Sequence, residues 1–431
     1  MDWKPPPRPR WVERLNRHAD HVGAPATLVG LDPEDLIATA QSETGLHDFG
    51  EQGEFGDATG ADGAGWRDHY EAFTGALSRE CAMHVVGRIM TRTELLRALR
   101  NRLELVDLWR RRPEILDRQV GAPLVVVGPA RSGTSILHEL LALDPSYAVP
   151  AAWKVLRPAT AAQGDPPAVA AARGDADAVM SFWHDVQPEY EAMHVNGGDL
   201  PVECIFVTLP TFLSDNWAGT HTVPSYSLRV ALADHLPAYR WHRHTLQTLG
   251  LRERAERWVL KAPSHLATLR KLFEVYPDAR VIQLHRDPAR TIPSMLSLMG
   301  TLRWMRTDTV DMEPFVEPTV AGVARLQRRA IADRADGRIP DDRFFDLHYR
   351  DLLNDAAGAI RAAYEHFGWS VPDGLTGAVT GYLARKPKGS KGRHRYSPEA
   401  FGLTAAGIRA EFGQYIERFA VAPEDDDPGG G

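Results

Sequence analysis

The feature that most constrains this chain is the run PLVVVGPARSGTSIL, residues 123–137. PLVVVG is short, continuously apolar and rich in β-branched residues, as expected of a strand buried on both faces in a parallel sheet. Gly128 and Gly133 follow with the spacing G-x-x-x-x-G, and a helix pattern opens at Thr134. A tight loop leading into a helix N-terminus offers backbone N–H groups and the positive end of the helix dipole to an anion. Gly133 lets the backbone approach closely, Thr134 and Ser135 add hydroxyl donors, and Arg131 adds a fixed positive charge. A strand–helix turn with incidental glycines is the plainer alternative, but the flanking strand and helix favour a phosphate loop. The lysine that such loops carry for triphosphates is missing, because Thr134 and Ser135 follow Gly133. That lysine serves the β and γ phosphates, so the loop suits a donor without a γ phosphate.

Three further runs read as strands: RWVLKAP (257–263), ARVIQLHR (279–286) and RFFDLHY (343–349). Helix patterns separate them, which predicts an α/β fold with a parallel sheet flanked by helices. More than a hundred residues rich in Trp, Tyr and Phe separate the first two strands and predict a helical insertion over the ligand-binding edge. Asp32 and Pro33 mark a helix start, and helical spacing continues from residue 66 toward Pro113. The expected organisation is a helical N-terminal region (1–118), an α/β domain (119–420) and a disordered tail (421–431). The first ten residues, rich in Pro and Arg, are expected to be poorly ordered as well.

Composition narrows the function. A net charge of −7 argues against general nucleic-acid binding. Two cysteines, no signal-like leader and no membrane-length apolar run point to a cytoplasmic protein without a disulfide framework or an integral membrane segment. The histidines show no metal-ligand spacing, so no metal is expected. HDFG at 47–50 and HRD at 285–287 occur in the wrong order for a protein kinase.

PARSGTS resembles the 5′-phosphosulfate loop, Pro-x-[Lys/Arg]-Ser-Gly-Thr-[Thr/Ser], of sulfotransferases that use 3′-phosphoadenosine 5′-phosphosulfate (PAPS). The resemblance covers roughly residues 120–420 and is nearest to bacterial members with a long helical N-terminal extension. It implies a P-loop-type fold and a donor site containing Arg131, Ser132, Gly133, Thr134 and Ser135. The family's 3′-phosphate motif, an arginine after a strand and a serine eight positions on, matches Arg286 and Ser294 in HRDPARTIPS. An arginine at a strand end and a hydroxyl two helical turns along can turn toward one phosphate. Tyr349, in HYRDLL, corresponds to a tyrosine near the adenine. The basic segment RKPKGSKGRHRYS is similar to the loop that closes over the 3′-phosphate and nominates Lys391, Gly392 and Arg393.

The same resemblance implies the chemistry. RWVLKAPSHLATL looks like a Lys-x-His segment with two extra residues, which nominates Lys261 near the transferring group and His265 as general base. Glu203, in the insertion, is the rival base, as in carbohydrate-directed members. The expected catalytic set is His265, Glu203, Lys261 and Arg131. The expected reaction moves a sulfuryl group from PAPS to a hydroxyl, less readily an amine, on a small-molecule, lipid or sugar acceptor. The insertion's Trp183, Tyr190, Phe206, Phe212, Trp217 and Tyr226 suggest a partly apolar acceptor, although such rings serve equally well as core. A P-loop small-molecule kinase and a non-catalytic nucleotide-binding protein are the alternatives. The oligomeric state is left open by the sequence.

Overall fold

The computed structural model describes residues 1–50, 63–255, 257–387, 392 and 394–424. Its centre is a five-stranded parallel sheet of β1 (Gly121–Val127), β2 (Tyr147–Ala148), β3 (Arg257–Lys261), β4 (Arg280–His285) and β5 (Phe344–His348), in the order β2-β3-β1-β4-β5. Leu124, Val125, Val126 and Val127 are fully buried, with helices against both faces, which explains why β1 reads as an unbroken apolar run. Each of these side chains contributes on the order of 1.5–3 kcal/mol of burial. The chain leaves β1 between β3 and β4, which lie on opposite sides of it. Such a point opens a crevice beyond the strands' C-terminal ends. Register carries Val126 opposite Lys261, Val127 opposite Gln283 and His285 opposite His348. The phosphate loop, Lys261, Arg286 and Tyr349 therefore emerge along one edge.

The four strands read from sequence are present. β2 is an additional two-residue edge strand, too short to leave a periodic signal. Asp32 caps the helix Pro33–Thr44 by accepting from the N–H groups of Glu34 and Asp35. The helical stretch after residue 65 is two helices, Trp66–Glu80 and Val85–Arg111. Between them Met83 pairs with Thr307. These helices share one core with Phe212, Trp217 and Tyr226 of the insertion. Trp183 and Tyr190 belong to another core cluster. Phe212, Trp217 and Tyr226 are at most 1% exposed and serve as packing material.

Both termini depart from expectation. Residues 1–10 pack on the molecule: Trp3 stacks on Phe401, its N–H donates to Ala400, and the Arg8 guanidinium lies 3.5 Å from the Trp304 ring centroid. Proline fixes the backbone and Trp and Arg supply contacts, so a composition that resembles a linker docks here. At the other end Val421 is buried and Glu424 is held by two arginine-linked groups, so order continues to residue 424. The rest of the tail, 425–431, lies outside the described residues. No helix among the described residues is long and apolar enough to cross a membrane.

Candidate active site

The phosphate loop is shaped by three positive φ angles: Gly128 at +148°, Arg131 at +71° and Gly133 at +95°. At Gly128 a Cβ would stand 2.7 Å from the Leu284 carbonyl oxygen, so this position admits only glycine. At Gly133 it would stand 2.7 Å from the Tyr349 ring. Gly133 is the N-cap of the helix Thr134–Leu141 and has no side chain to satisfy the first N–H groups. Ser132 is fully buried and donates its hydroxyl to the Pro129 carbonyl at 2.7 Å. Its hydroxyl thus holds the loop from inside, while the Ser135 hydroxyl accepts from Lys261 Nζ at 3.1 Å.

A cationic cluster lies behind the loop. Arg131 Nε donates to Ser294 Oγ at 3.1 Å, and its Nη1 donates to the Met193 carbonyl. Arg286 Nη1 donates to the Arg131 carbonyl at 2.9 Å, and its guanidinium lies 4.0 Å from the centroid of the Tyr349 ring. Thus Arg131, Ser294, Arg286 and Tyr349, three of them far apart in sequence, form one contact network. Two further Arg286 donors go to the Glu424 carboxylate, with Nε–Oε1 and Nη2–Oε2 both at 2.9 Å. Asp287 organises this arrangement. It caps the helix Pro288–Trp304 through Ala289 N–H and accepts from Arg409 Nη2 at 2.6 Å and Glu424 N–H at 2.8 Å. The C-terminal basic segment returns to the same face: His394 Nε2 lies 2.9 Å from Ser297 Oγ, one turn beyond Ser294. Gly392 has a φ of +101°. Lys391 and Arg393 lie outside the described residues.

Lys261 joins the loop to the insertion. It ends β3, is 2% exposed, and places Nζ 2.6 Å from Glu203 Oε1 while donating to Ser135. Glu203 precedes the short helix Cys204–Val207. Burial pushes its carboxyl pKa up, but Lys261 and then His194 outweigh burial and hold it below the usual range. His194 itself is pushed down to about 4 by burial and Lys261, with Glu203 opposing. Sequence reading did not single it out, because a lone histidine in an irregular segment carries no motif.

His265 stands apart from this contact. It is buried, its Nδ1 lies 2.6 Å from the Tyr239 hydroxyl, and Tyr239 also meets Thr268 at 2.9 Å. Its Nε2 has no hydrogen-bond partner among the described residues. The ring lines a small cavity with Ile205, Leu213, Ser214, Tyr239 and His242. Burial pushes its pKa down to about 4, with Glu203 opposing. No hydrogen bond joins it to Lys261 or Glu203 among the described residues. Neither is a cluster of three or more possible metal ligands found among those residues.

The chain is similar to known proteins. The model of the sulfotransferase family matches residues 123–373, more than half of the chain. The omega-hydroxy-beta-dihydromenaquinone-9 sulfotransferase Stf3 of Mycobacterium bovis is 25% identical over 335 residues, spanning 71% of this chain and 77% of that protein. The crystal structure of sulfotransferase STF1 from Mycobacterium tuberculosis superposes with a TM-score of 0.73 and 28% identity, covering 90% of this chain and 99% of that one. Sulfotransferase STF9 from Mycobacterium avium gives a TM-score of 0.76 at 23% identity, covering 91% and 98%, and supports the fold alone.

Proposed function

Because the chain belongs to the sulfotransferase family, we propose that it uses PAPS as donor and sulfates a hydroxyl on an apolar, lipid-like acceptor. The observation that carries this reading is the position of Lys261, bridging Ser135 of the phosphate loop and Glu203 of the insertion. Donor and acceptor sides meet at one ammonium group.

The residues fit the donor. The uncapped helix start at Gly133 and the hydroxyls of Thr134 and Ser135 would hold the 5′-phosphosulfate. Arg286, Arg131 and Ser294 would hold the 3′-phosphate, and a carboxylate, Glu424, already sits on Arg286 as an anion does. When bound, PAPS supplies the sulfuryl group and the leaving phosphate for an in-line displacement.

We assign the general base to Glu203 and a supporting acceptor-side position to His265. Glu203 is next to Lys261, whereas His265 is tied to Tyr239 in the adjoining cavity. The acceptor hydroxyl gives its proton to Glu203 as the oxygen attacks sulfur and the bond from sulfur to the phosphate oxygen breaks. Negative charge arriving beside Ser135 competes with Glu203 for Lys261. That weakens the interaction holding the carboxyl pKa down and lets it rise toward the range where a base works. The lipid-like acceptor rests on the name of the Stf3 relative, whose printed substrate is a hydroxylated menaquinone.

The test is transfer of labelled sulfate from PAPS to a panel of long-chain alcohols, phenols, sugars and amines. Label in alcohol esters supports the reading. Phosphate transfer from ATP without sulfate transfer from PAPS would replace it with the kinase alternative.

A further inference from the structure

The helix Arg10–Val22 presents a face that the rest of the molecule covers only in part: Trp11 donates its indole N–H to the Asp185 carbonyl at 3.2 Å, while Leu15 and Val22 stay open. At 3.6 residues per turn its side chains sort into four stripes. Val12, Asn16 and Ala19 are buried against the body of the protein. Trp11, Leu15 and Val22 share the next stripe and are 41%, 39% and 64% exposed. Arg10, Arg14 and Arg17 form the stripe beside it, exposed and without an ion pair among the described residues. The acids Glu13 and Asp20 lie opposite the apolar stripe. Leu28, in the short helix that follows, is likewise 40% exposed.

We infer that this face docks the protein on an anionic lipid surface. An exposed apolar stripe bordered on its solvent side by arginines is what an interfacial helix presents: aliphatic chains enter the acyl boundary while guanidinium groups meet lipid phosphates. The chain as a whole carries −7, so attraction to anionic lipid must come from a local basic patch of this kind. A second copy of the chain is a poorer occupant, because a two-fold contact through this stripe would bring the two arginine rows together.

The position suits an enzyme acting at such a surface. The buried side of the helix shares one core with Trp183, Tyr190 and Met193, and the Met193 carbonyl accepts from Arg131 of the phosphate loop. Phe182, whose ring lies 6.1 Å from Trp11, forms part of an apolar groove with Met90, Val179 and Trp183. The inference stands on the helix itself and does not require the acceptor to be a lipid.

Vesicle flotation of the full chain tests it. The protein should float with phosphatidylglycerol-rich vesicles, not with pure phosphatidylcholine vesicles, and raising the salt should release it. The triple change Arg10→Ser, Arg14→Ser, Arg17→Ser should weaken binding roughly tenfold or more. Leu15→Ser with Val22→Ser should weaken it too; both positions are exposed, so the fold and PAP binding should be retained. Two results would overturn the inference. One is equal flotation of the wild type and the arginine variant. The other is an unbound wild type that sediments as a dimer and reverts to monomer in the Leu15/Val22 variant, which would assign the face to a second copy.

Discussion

The proposed donor side and the proposed acceptor side of this site are built differently. Donor-side residues sit at the ends of regular elements: the loop after β1, Arg286 after β4, Tyr349 after β5 and Ser294 two turns into a helix. Their offsets in sequence fix their geometry, because strand ends and helix turns have set dimensions. Acceptor-side residues come from short helices and irregular segments of the insertion, where Glu203, His194 and Tyr239 meet Lys261 and His265 through tertiary packing alone. The difference teaches that a mobile phosphate donor demands a repeated frame, whereas an acceptor pocket can be assembled from any segments that converge.

The largest effect should fall on the acceptor side. Glu203→Gln keeps the shape but removes the base, and should lower kcat about 10²- to 10⁴-fold. PAP affinity should change little. His265→Asn should act mainly on the acceptor KM. A dead His265→Asn beside an active Glu203→Gln, in steady-state kinetics, would exchange the two roles.

On the donor side, Arg286→Ala should weaken PAP by about 30- to 1,000-fold, as expected for removing a charged partner of a partly buried phosphate. The affinity for 5′-AMP should hardly move. A variant that loses both ligands equally would make Arg286 a support for the loop through the Arg131 carbonyl, not a reader of the 3′-phosphate.

Smaller and of opposite sign is the effect at Glu424. Its carboxylate occupies Arg286 donors that the 3′-phosphate would need. Glu424→Gln should therefore tighten PAP several-fold, by less than Arg286→Ala weakens it, because the pair is partly exposed. Titration calorimetry on the two variants reads both changes.

The weakest expected effect is on stability. The buried imidazoles His194, His242 and His265 are pushed down to between about 3 and 4, by burial first. Their folded pKa values lie below the ordinary 6.5, so their contribution is present above 6.5 and is lost as the pH falls toward 4. Thermal melts should shift down across that window. His242→Phe should flatten the shift, and an unchanged slope would mean that these rings ionise without cost in the folded protein.

Legibility in the sequence follows the same division. The unbroken apolar run of β1 and the capping Asp32 each encode local geometry and are readable in the sequence, and the Arg286–Ser294 offset brings both side chains to Arg131. His194, Arg409 and Glu424 are not readable, because their partners lie far away in sequence and each belongs to a stretch whose composition suggests nothing. Phe212, Trp217 and Tyr226 misdirect for a related reason: a ring that packs against Phe73 and Tyr70 has the same sequence signature as one that faces a ligand. The N-terminal Pro/Arg segment and residues 421–424 show the converse, linker-like composition held in place by specific contacts.

The central claim is that Arg286, Arg131 and Ser294 read a 3′-phosphate. It is tested most directly by calorimetry of the wild-type protein with PAP and with 5′-AMP, which differ by that group alone. The account expects PAP to bind at least about 30-fold more tightly, equivalent to about 2 kcal/mol. Equal affinities would contradict it.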